Sequence, residues 1–363
     1  MTLVLLIVGF GFLIIGAEAL VRGAVRFANQ IGISPLGIGL TVVAFGTSSP
    51  ELVVSILASI NNNSDISLGN VIGSNIFNVL LILGASALIT PLVVSRQLIK
   101  LDVPIMIGCS FAVLIIGLDG NISIIDGLLL LAGLIVYMII LIYKSKEDKK
   151  NASDEFAAEY GSASNRISIL VNLKHLAFII LGLVLLVIGS RWVVNGAQLI
   201  AHYLGISDLI IGLTVVAAGT SLPEVATSVV ASIRGERDIA VGNVVGSNIF
   251  NILGVLGLAA IFAPGGITVS PSILRLDLPI MIAVAGACLP IFFTGNLIAR
   301  WEGALFLGYY VAYIIYLVFT ATTNNYLPIY TYTMLFFVIP ITSVTLAVIS
   351  LRLVYSEHIR NKK

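Results

Sequence analysis

The stretch GTSSPELVVS, residues 46–55, sets a glycine, three hydroxyls, a proline and a carboxylate close together inside an apolar segment. GTSLPEVATS, residues 219–228, repeats the pattern 173 positions later. The repetition runs well beyond these motifs. GISPLGIGLTVVAFGTSSPE (32–51) aligns without gaps on GISDLIIGLTVVAAGTSLPE (205–224), and GNVIGSNIFNVLLILG (69–84) on GNVVGSNIFNILGVLG (242–257) at the same offset. LDVPIMI (101–107) matches LDLPIMI (276–282), and Gly120-Asn121 matches Gly295-Asn296. One unit is present twice.

The medium around that unit follows from composition. Of 363 residues, 58% are hydrophobic and 10% charged, and the mean hydropathy is +1.09. Soluble domains carry about 25% charged residues, so this chain lacks the polar surface to cover a globule in water. Apolar runs of membrane-crossing length recur throughout, the mark of an all-α polytopic membrane protein. A net charge of +1 gives no argument for nucleic-acid binding. Cys109 and Cys288 sit singly in apolar runs and imply no disulfide framework or zinc site. The N-terminal run lacks a basic n-region and continues to Glu18 and Arg22, so it reads as a retained helix rather than a signal peptide.

Eleven spans are expected, at 2–28, 34–60, 66–90, 102–118, 122–143, 174–202, 207–233, 239–263, 276–294, 301–320 and 330–354. Ser34-Pro35 reads as an N-cap followed by proline at the first helical position, and Asp102 and Asp277 are expected to cap their helices similarly. Glu18 and Arg22 have the (i, i+4) spacing of an ion pair, and Arg191 takes Glu18's place in the second copy.

Arg96, Lys100, Lys144, Lys146, Lys149, Lys150, Arg166, Arg234, Arg237 and Arg300 lie in or beside loops that follow odd-numbered spans. The C-terminal tail adds Arg360, Lys362 and Lys363, and the loops after even-numbered spans offer only Arg275. The positive-inside rule then puts the N-terminus outside and the 144–173 loop and C-terminus in the cytoplasm.

Spans 1–5 and 6–10 are the two copies. Five is odd, so the second copy enters from the opposite face, giving two inverted five-helix repeats with an eleventh helix outside them. Such repeats are the architecture of secondary transporters, with a midplane site and alternating access. The domain organisation expected is a first repeat (1–143), a cytoplasmic polar linker (144–173), a second, inverted repeat (174–320), and an extra helix with a basic tail (321–363).

A proline inside a helix removes an N–H and crowds the carbonyl four residues earlier. Pro50 therefore disturbs Gly46, and Pro223 disturbs Gly219. Glycine beside Thr47, Ser48, Thr220 and Ser221 makes local unwinding cheap. Unpaired carbonyls in a bilayer must line a polar cavity or be buried in protein. Glu51 and Glu224 each lie 17 residues into their spans, a depth at which a charged side chain is usually functional and partnered. A broken helix beside a carboxylate points to a cation held by carbonyls, hydroxyls and the acid.

The second motif adds Ser74, Asn78, Ser247 and Asn251. Together these are hard oxygen ligands for calcium, magnesium or sodium. His175, His202 and His358 lie near span ends or in the tail, so soft ligands are missing from the motifs. Asn78 and Asn251 should form a near-symmetric neutral pair. Gly69 and Gly73 read as a packing motif, and Asn75 and Asn248 as interhelical ties.

At these motifs the chain resembles the cation/calcium exchanger superfamily, specifically prokaryotic-type sodium/calcium exchangers and their potassium-dependent relatives. The resemblance covers roughly residues 2–320. It implies that Glu51 and Glu224 bind calcium and sodium, joined by oxygens of Ala44, Thr47 and Ser48, of Ala217, Thr220 and Ser221, and of Ser74, Ser247, Asn78 and Asn251. It implies no cofactor, the ions being cargo. The implied partners are those ions and the lipid bilayer, and the implied location is the plasma (cell inner) membrane. Several relatives carry aspartate where this chain has Asn251, which implies exchange here without potassium.

Three other readings compete. A proton/calcium exchanger could use the same glutamates as proton carriers. An intramembrane hydrolase would want a G-x-S-G, G-x-G-D or H-E-x-x-H motif, and none occurs. A channel fits poorly with inverted repeats around a closed carboxylate site. The leading expectation is a sodium-driven calcium antiporter, not an enzyme.

Overall fold

The computed structural model describes residues 2–31, 33–160, 169–205, 211, 217–293 and 295–360. Among them, nine helices are long and apolar enough to cross a membrane, ten if a bent pair counts as one span. In the first repeat these are α1 (Thr2–Ile31), the bent pair α2 (Pro35–Thr47) and α3 (Ser49–Ile60), α4 (Ser64–Ile89), α5 (Leu98–Ile116) and α6 (Ile124–Tyr160). The second repeat has α7 (Ile169–Tyr203), the short α8 (Ala217–Thr220) and α9 (Leu222–Ile233), α10 (Arg237–Phe262), α11 (Ile273–Phe293) and α12 (Arg300–Ala321). The extra span is α13 (Leu327–Ile349). Most of 207–216, the start of the expected seventh span, lies outside the described residues.

Two antiparallel strand pairs fix the relation between the copies. β1 (Leu92–Val93) follows α4, β2 (Asn121–Ile122) precedes α6, and β3 (Ile267–Thr268) and β4 (Leu297–Ile298) are their second-repeat counterparts. β1 pairs with β4, and β2 with β3. Each loop thus pairs with the non-equivalent loop of the other copy. Parallel repeats would bring equivalent loops to the same face; only an inverted pair gives this exchange. Helix packing shows the same exchange. A Cβ on Gly127 of α6 would lie 2.6 Å from the Gly257 carbonyl of α10, and one on Gly303 of α12 would lie 2.7 Å from the Gly84 carbonyl of α4.

α4 and α10 form the centre, with 72% and 89% of their most apolar stretches buried, against 33% or less for the other long helices. Both pass through a π-helical turn right after the motif phenylalanine, at Asn78–Leu83 and Asn251–Leu256. Such turns widen a helix and often occur at functional sites. Outside this centre, α1 and α7 run antiparallel with their backbones in contact. Gly9, Gly16 and Gly23 face Gly189, Gly182 and the turn at His175–Ile179; a Cβ on Gly182 would lie 2.6 Å from the Leu20 nitrogen. Small residues that let backbones approach are the usual basis of helix association in membranes.

Local readings fare unevenly. Ser34 does cap α2, its Oγ accepting the Gly37 N–H at 3.1 Å. Glu18 does pair with Arg22, and also accepts from Arg234 Nε at 2.9 Å, which ties α1 to the end of α9. Asp102 and Asp277 are not caps. Their helices begin earlier, through π-helical turns at Leu98–Asp102 and Ile273–Asp277. Each acid instead accepts a tyrosine hydroxyl from the fifth span of its own repeat, Tyr137 at 3.1 Å and Tyr313 at 3.3 Å. α6 also continues through the expected linker as far as Tyr160, because its Lys-, Glu- and Ala-containing sequence favours helix.

Candidate functional site

The motif helix breaks just ahead of its proline. α2 and α3 meet at a 46° bend, with Ser48 between them at φ −81°, ψ 8°. Pro50 then falls in the first turn of α3, where its missing N–H leaves no bond unmade. Ser221, at φ −89°, ψ 7°, occupies the same place before α9, and Pro223 the same turn. The break lies two residues beyond Gly46, whose own role is packing. A Cβ there would lie 2.7 Å from the Leu183 methyls of α7, and one at Gly219 would lie 2.3 Å from Val194 Cγ2.

Glu51 and Glu224 follow in the first turns of α3 and α9, at helix ends that favour negative charge. Both are fully buried, at 0% and 1% exposure. Their partners cross between repeats. Ser48 Oγ donates to Glu224 Oε1 at 2.9 Å, and Ser221 Oγ to Glu51 Oε1 at 2.8 Å. Ser221 Oγ also lies 3.3 Å from Ser74 Oγ. The second oxygen of each carboxylate has no hydrogen-bond partner among the described residues. Nor do Thr220 Oγ1, Ser247 Oγ, Asn78 Oδ1 or either amide atom of Asn251. Burying such groups unmatched costs about 1–3 kcal/mol each, and more for a charge. Among the described residues no third acid, histidine or cysteine joins the two glutamates.

Other expected residues are engaged differently. The Ala44 carbonyl accepts the Ser48 N–H at 3.0 Å. Thr47 Oγ1 lies 3.2 Å from Asn243 Oδ1 and 3.4 Å from the Ala44 carbonyl. Ala217 begins α8, and nothing more is described of it. Asn78 and Asn251 are not equivalent, since Asn78 Nδ2 donates to Asn248 Oδ1 at 3.0 Å. Asn248 also donates to the Asn75 carbonyl at 3.3 Å, the interhelical tie expected of it. The packing expected of Gly69 and Gly73 is not found in the first copy, although at Gly246, the second-copy counterpart of Gly73, a Cβ would lie 2.7 Å from Leu40 Cα. No described residue lies within 4 Å of a Cβ at Gly69 or Gly73.

Sequence reasoning passed over Asn70 and Asn243. Asn70 Nδ2 donates to Ser55 Oγ at 2.9 Å and to the Glu51 carbonyl at 3.2 Å; Asn243 Nδ2 donates to Ser228 Oγ at 2.9 Å. It also passed over Met106 and Met281, whose sulfurs accept from Asn248 at 3.5 Å and Asn75 at 3.6 Å. All four recur within the quoted repeats, and that recurrence was the available signal.

The family model described as sodium/calcium exchanger protein matches residues 1–143 and 174–319. The chain belongs to the sodium/calcium exchanger family. Within this exchanger family, the sodium/calcium exchanger MaX1 of Methanosarcina acetivorans is 34% identical, over 86% of this chain and 97% of its own. The inner membrane protein YrbG of Escherichia coli is 38% identical, over 77% of this chain and 85% of its own. A solved structure of the sodium-calcium exchanger NCX_Mj, soaked with sodium and strontium, superposes with a TM-score of 0.73 at 33% identity. It covers 86% of this chain and 97% of that one. The chain is thus a multi-pass membrane protein of an exchanger family, as its motifs led one to expect.

Proposed function

We propose that this protein is a secondary active antiporter that exchanges calcium for sodium by alternating access, with Glu51 and Glu224 as the charged ligands of a central cation site. The reciprocal hydroxyl–carboxylate crossing carries this reading, because it leaves one oxygen of each glutamate buried and unmatched. Oxygens of Asn78, Asn251, Thr220 and Ser247 are unmatched as well. A hard cation is the species that satisfies such a set. Ser48, Ser221 and Ser74 hold the carboxylates in place. Two acids supply a charge of −2, which neutralises one calcium or two sodium ions, so the two cargoes compete for one site.

The names of MaX1 and NCX_Mj support sodium and calcium as the ions, and that of YrbG supports the inner membrane. The distribution of lysine and arginine supports an outside N-terminus and a cytoplasmic 144–173 segment. The test is calcium uptake into proteoliposomes with an imposed sodium gradient, a choline control and a proton gradient. Uptake should follow sodium alone, and Glu51→Gln or Glu224→Gln should abolish it in a folded protein. Uptake driven by the proton gradient alone would replace sodium as the coupling ion. Near-normal uptake in either variant would remove the glutamates from the site.

A further inference from the structure

The central helices α4 and α10 meet at four asparagines, Asn75 and Asn78 on one and Asn248 and Asn251 on the other. All four are buried, at 2% exposure or less. An asparagine amide can be turned either way, presenting its oxygen or its two N–H donors. Only the oxygen can serve a cation. A chain of bonds with a single polarity decides the orientation here. Asn248 Nδ2 donates to the Asn75 carbonyl at 3.3 Å and to Met106 Sδ at 3.5 Å. Neither of those atoms can donate, so a reversed Asn248 would set its oxygen against an oxygen and a sulfur. Asn248 Oδ1 is thereby aimed at Asn78, whose Nδ2 donates to it at 3.0 Å. Asn78 must then present its own Oδ1 elsewhere, and that atom is buried and unmatched.

The internal repeat supplies a control. Asn75, Asn251 and Met281 are the counterparts of Asn248, Asn78 and Met106, and their mirrored chain is not assembled. Asn75 Nδ2 reaches Met281 Sδ at 3.6 Å, but among the described residues it donates to no carbonyl, and its Oδ1 is unmatched. Both amide atoms of Asn251 are unmatched too. One amide of the pair is held in a fixed orientation, and its twin is not.

We propose that Asn248 is a positioning residue of the cation site, acting through Asn78 to keep that amide's oxygen toward the ion. Met106 and the Asn75 carbonyl in turn hold Asn248. The relay acts on the proposed site at Glu51 and Glu224 and rests on that reading. A reversed Asn78 would turn two N–H donors on the cation. An amide without its partner therefore visits an orientation that repels calcium, and apparent affinity falls with the fraction left in the competent one. The side chain of Asn75 has no such part, because only its main-chain carbonyl belongs to the relay.

The test is equilibrium binding of radioactive calcium to the purified protein in sodium-free detergent solution. The midpoint reads affinity and the plateau counts folded protein, so a variant that folds poorly lowers the plateau and leaves the midpoint readable. Asn248→Ala and the bulkier Asn248→Leu should each weaken calcium binding about tenfold. Asn75→Ala keeps the main-chain carbonyl and should stay within about twofold of wild type. In an Asn78→Ala background there is no oxygen left to orient, so adding Asn248→Ala should weaken binding no further. A purely structural tie would behave otherwise, lowering the melting temperature in both backgrounds and leaving the midpoint in place. An unchanged midpoint in both Asn248 variants would overturn the relay, as would equal losses in Asn75→Ala and Asn248→Ala. Additive losses in the Asn78→Ala background would overturn it as well. Glu51→Gln separates this outcome from failure of the site itself. If Glu51→Gln loses calcium and Asn248→Ala does not, the relay alone is refuted; if Glu51→Gln binds normally, the site and the relay fall together.

Discussion

Ser221 of the second repeat donates its hydroxyl to Glu51 of the first at 2.8 Å. The residue that shapes one helix break therefore orients the acid of the other, and Ser48 does the same for Glu224. Hydrogen bonds to charged groups contribute about 1.5–3 kcal/mol, and each 1.4 kcal/mol is tenfold in affinity. Ser221→Ala and Ser48→Ala should each weaken apparent calcium affinity about tenfold or more. Calcium-dependent exchange at fixed sodium measures this; a change below twofold in both variants would separate the serines from the site.

Charge balance gives a second expectation. Two carboxylates neutralise one calcium or two sodium ions, so a cycle that returns more than two sodium ions moves net charge. Exchange should be electrogenic. Calcium flux in vesicles clamped with valinomycin should rise at one sign of potential and fall at the other, and a flat response would contradict it.

The inequality of Asn78 and Asn251 gives a third. Asparagine contributes oxygen without charge, so exchange should persist when potassium is replaced by an inert cation. Asn251→Asp places a third acid among matched and unmatched oxygens. Crowded carboxylates resist joint ionisation, so this variant should gain a new pH dependence or a changed preference among monovalent ions. Asn78→Asp removes the amide that donates to Asn248 and should chiefly lower stability. Wild-type flux that stops without potassium would contradict the assignment of Asn251.

Away from the site, Tyr137 should matter for stability. Its hydroxyl donates to the fully buried Asp102, which among the described residues keeps the hydrogen bond from Gln97 Nε2 at 3.2 Å when Tyr137 is changed to Phe. The loss should be about 1–3 kcal/mol, read as a lowered melting temperature in detergent. Adding Asp102→Asn should recover part of it. Strict additivity of the two changes would show that the contact carries no coupling.

Topology offers a direct check. Cysteines at Asn61 and Ser153 should label from opposite sides of the membrane, Asn61 from outside and Ser153 from the cytoplasm. Asn61 is preferable to its neighbour Asn62, whose φ of +59° strains most side chains. Labelling of both from one side would contradict the orientation.

How much of this could be read from sequence depends on the range of each signal. The spans and the duplication were legible because apolar length and recurrence are properties of contiguous stretches. Glu51 and Glu224 stood out because an acid is rare at such depth. The crossing of Ser48 to Glu224 was not legible, because the two lie 176 positions apart and only packing decides which hydroxyl meets which acid. Asp102 and Asp277 misled for a local reason: an acid just before a proline resembles a cap, but each helix had already started in a π-helical turn. The four strands, two residues each, are too short to leave any alternating pattern.

The exchanged strand pairs also bear on how such a chain can arise. Every contact they make is of the isologous kind, in which one surface meets its own equivalent in reverse order. Two separate copies of a five-helix unit, inserted in opposite orientations, would satisfy the same contacts without being joined. In that dimer both ion-facing halves would be identical, and any substitution would strike twice. Fusion into one polypeptide removes that restriction. Asn78 and Asn251 can then take different partners.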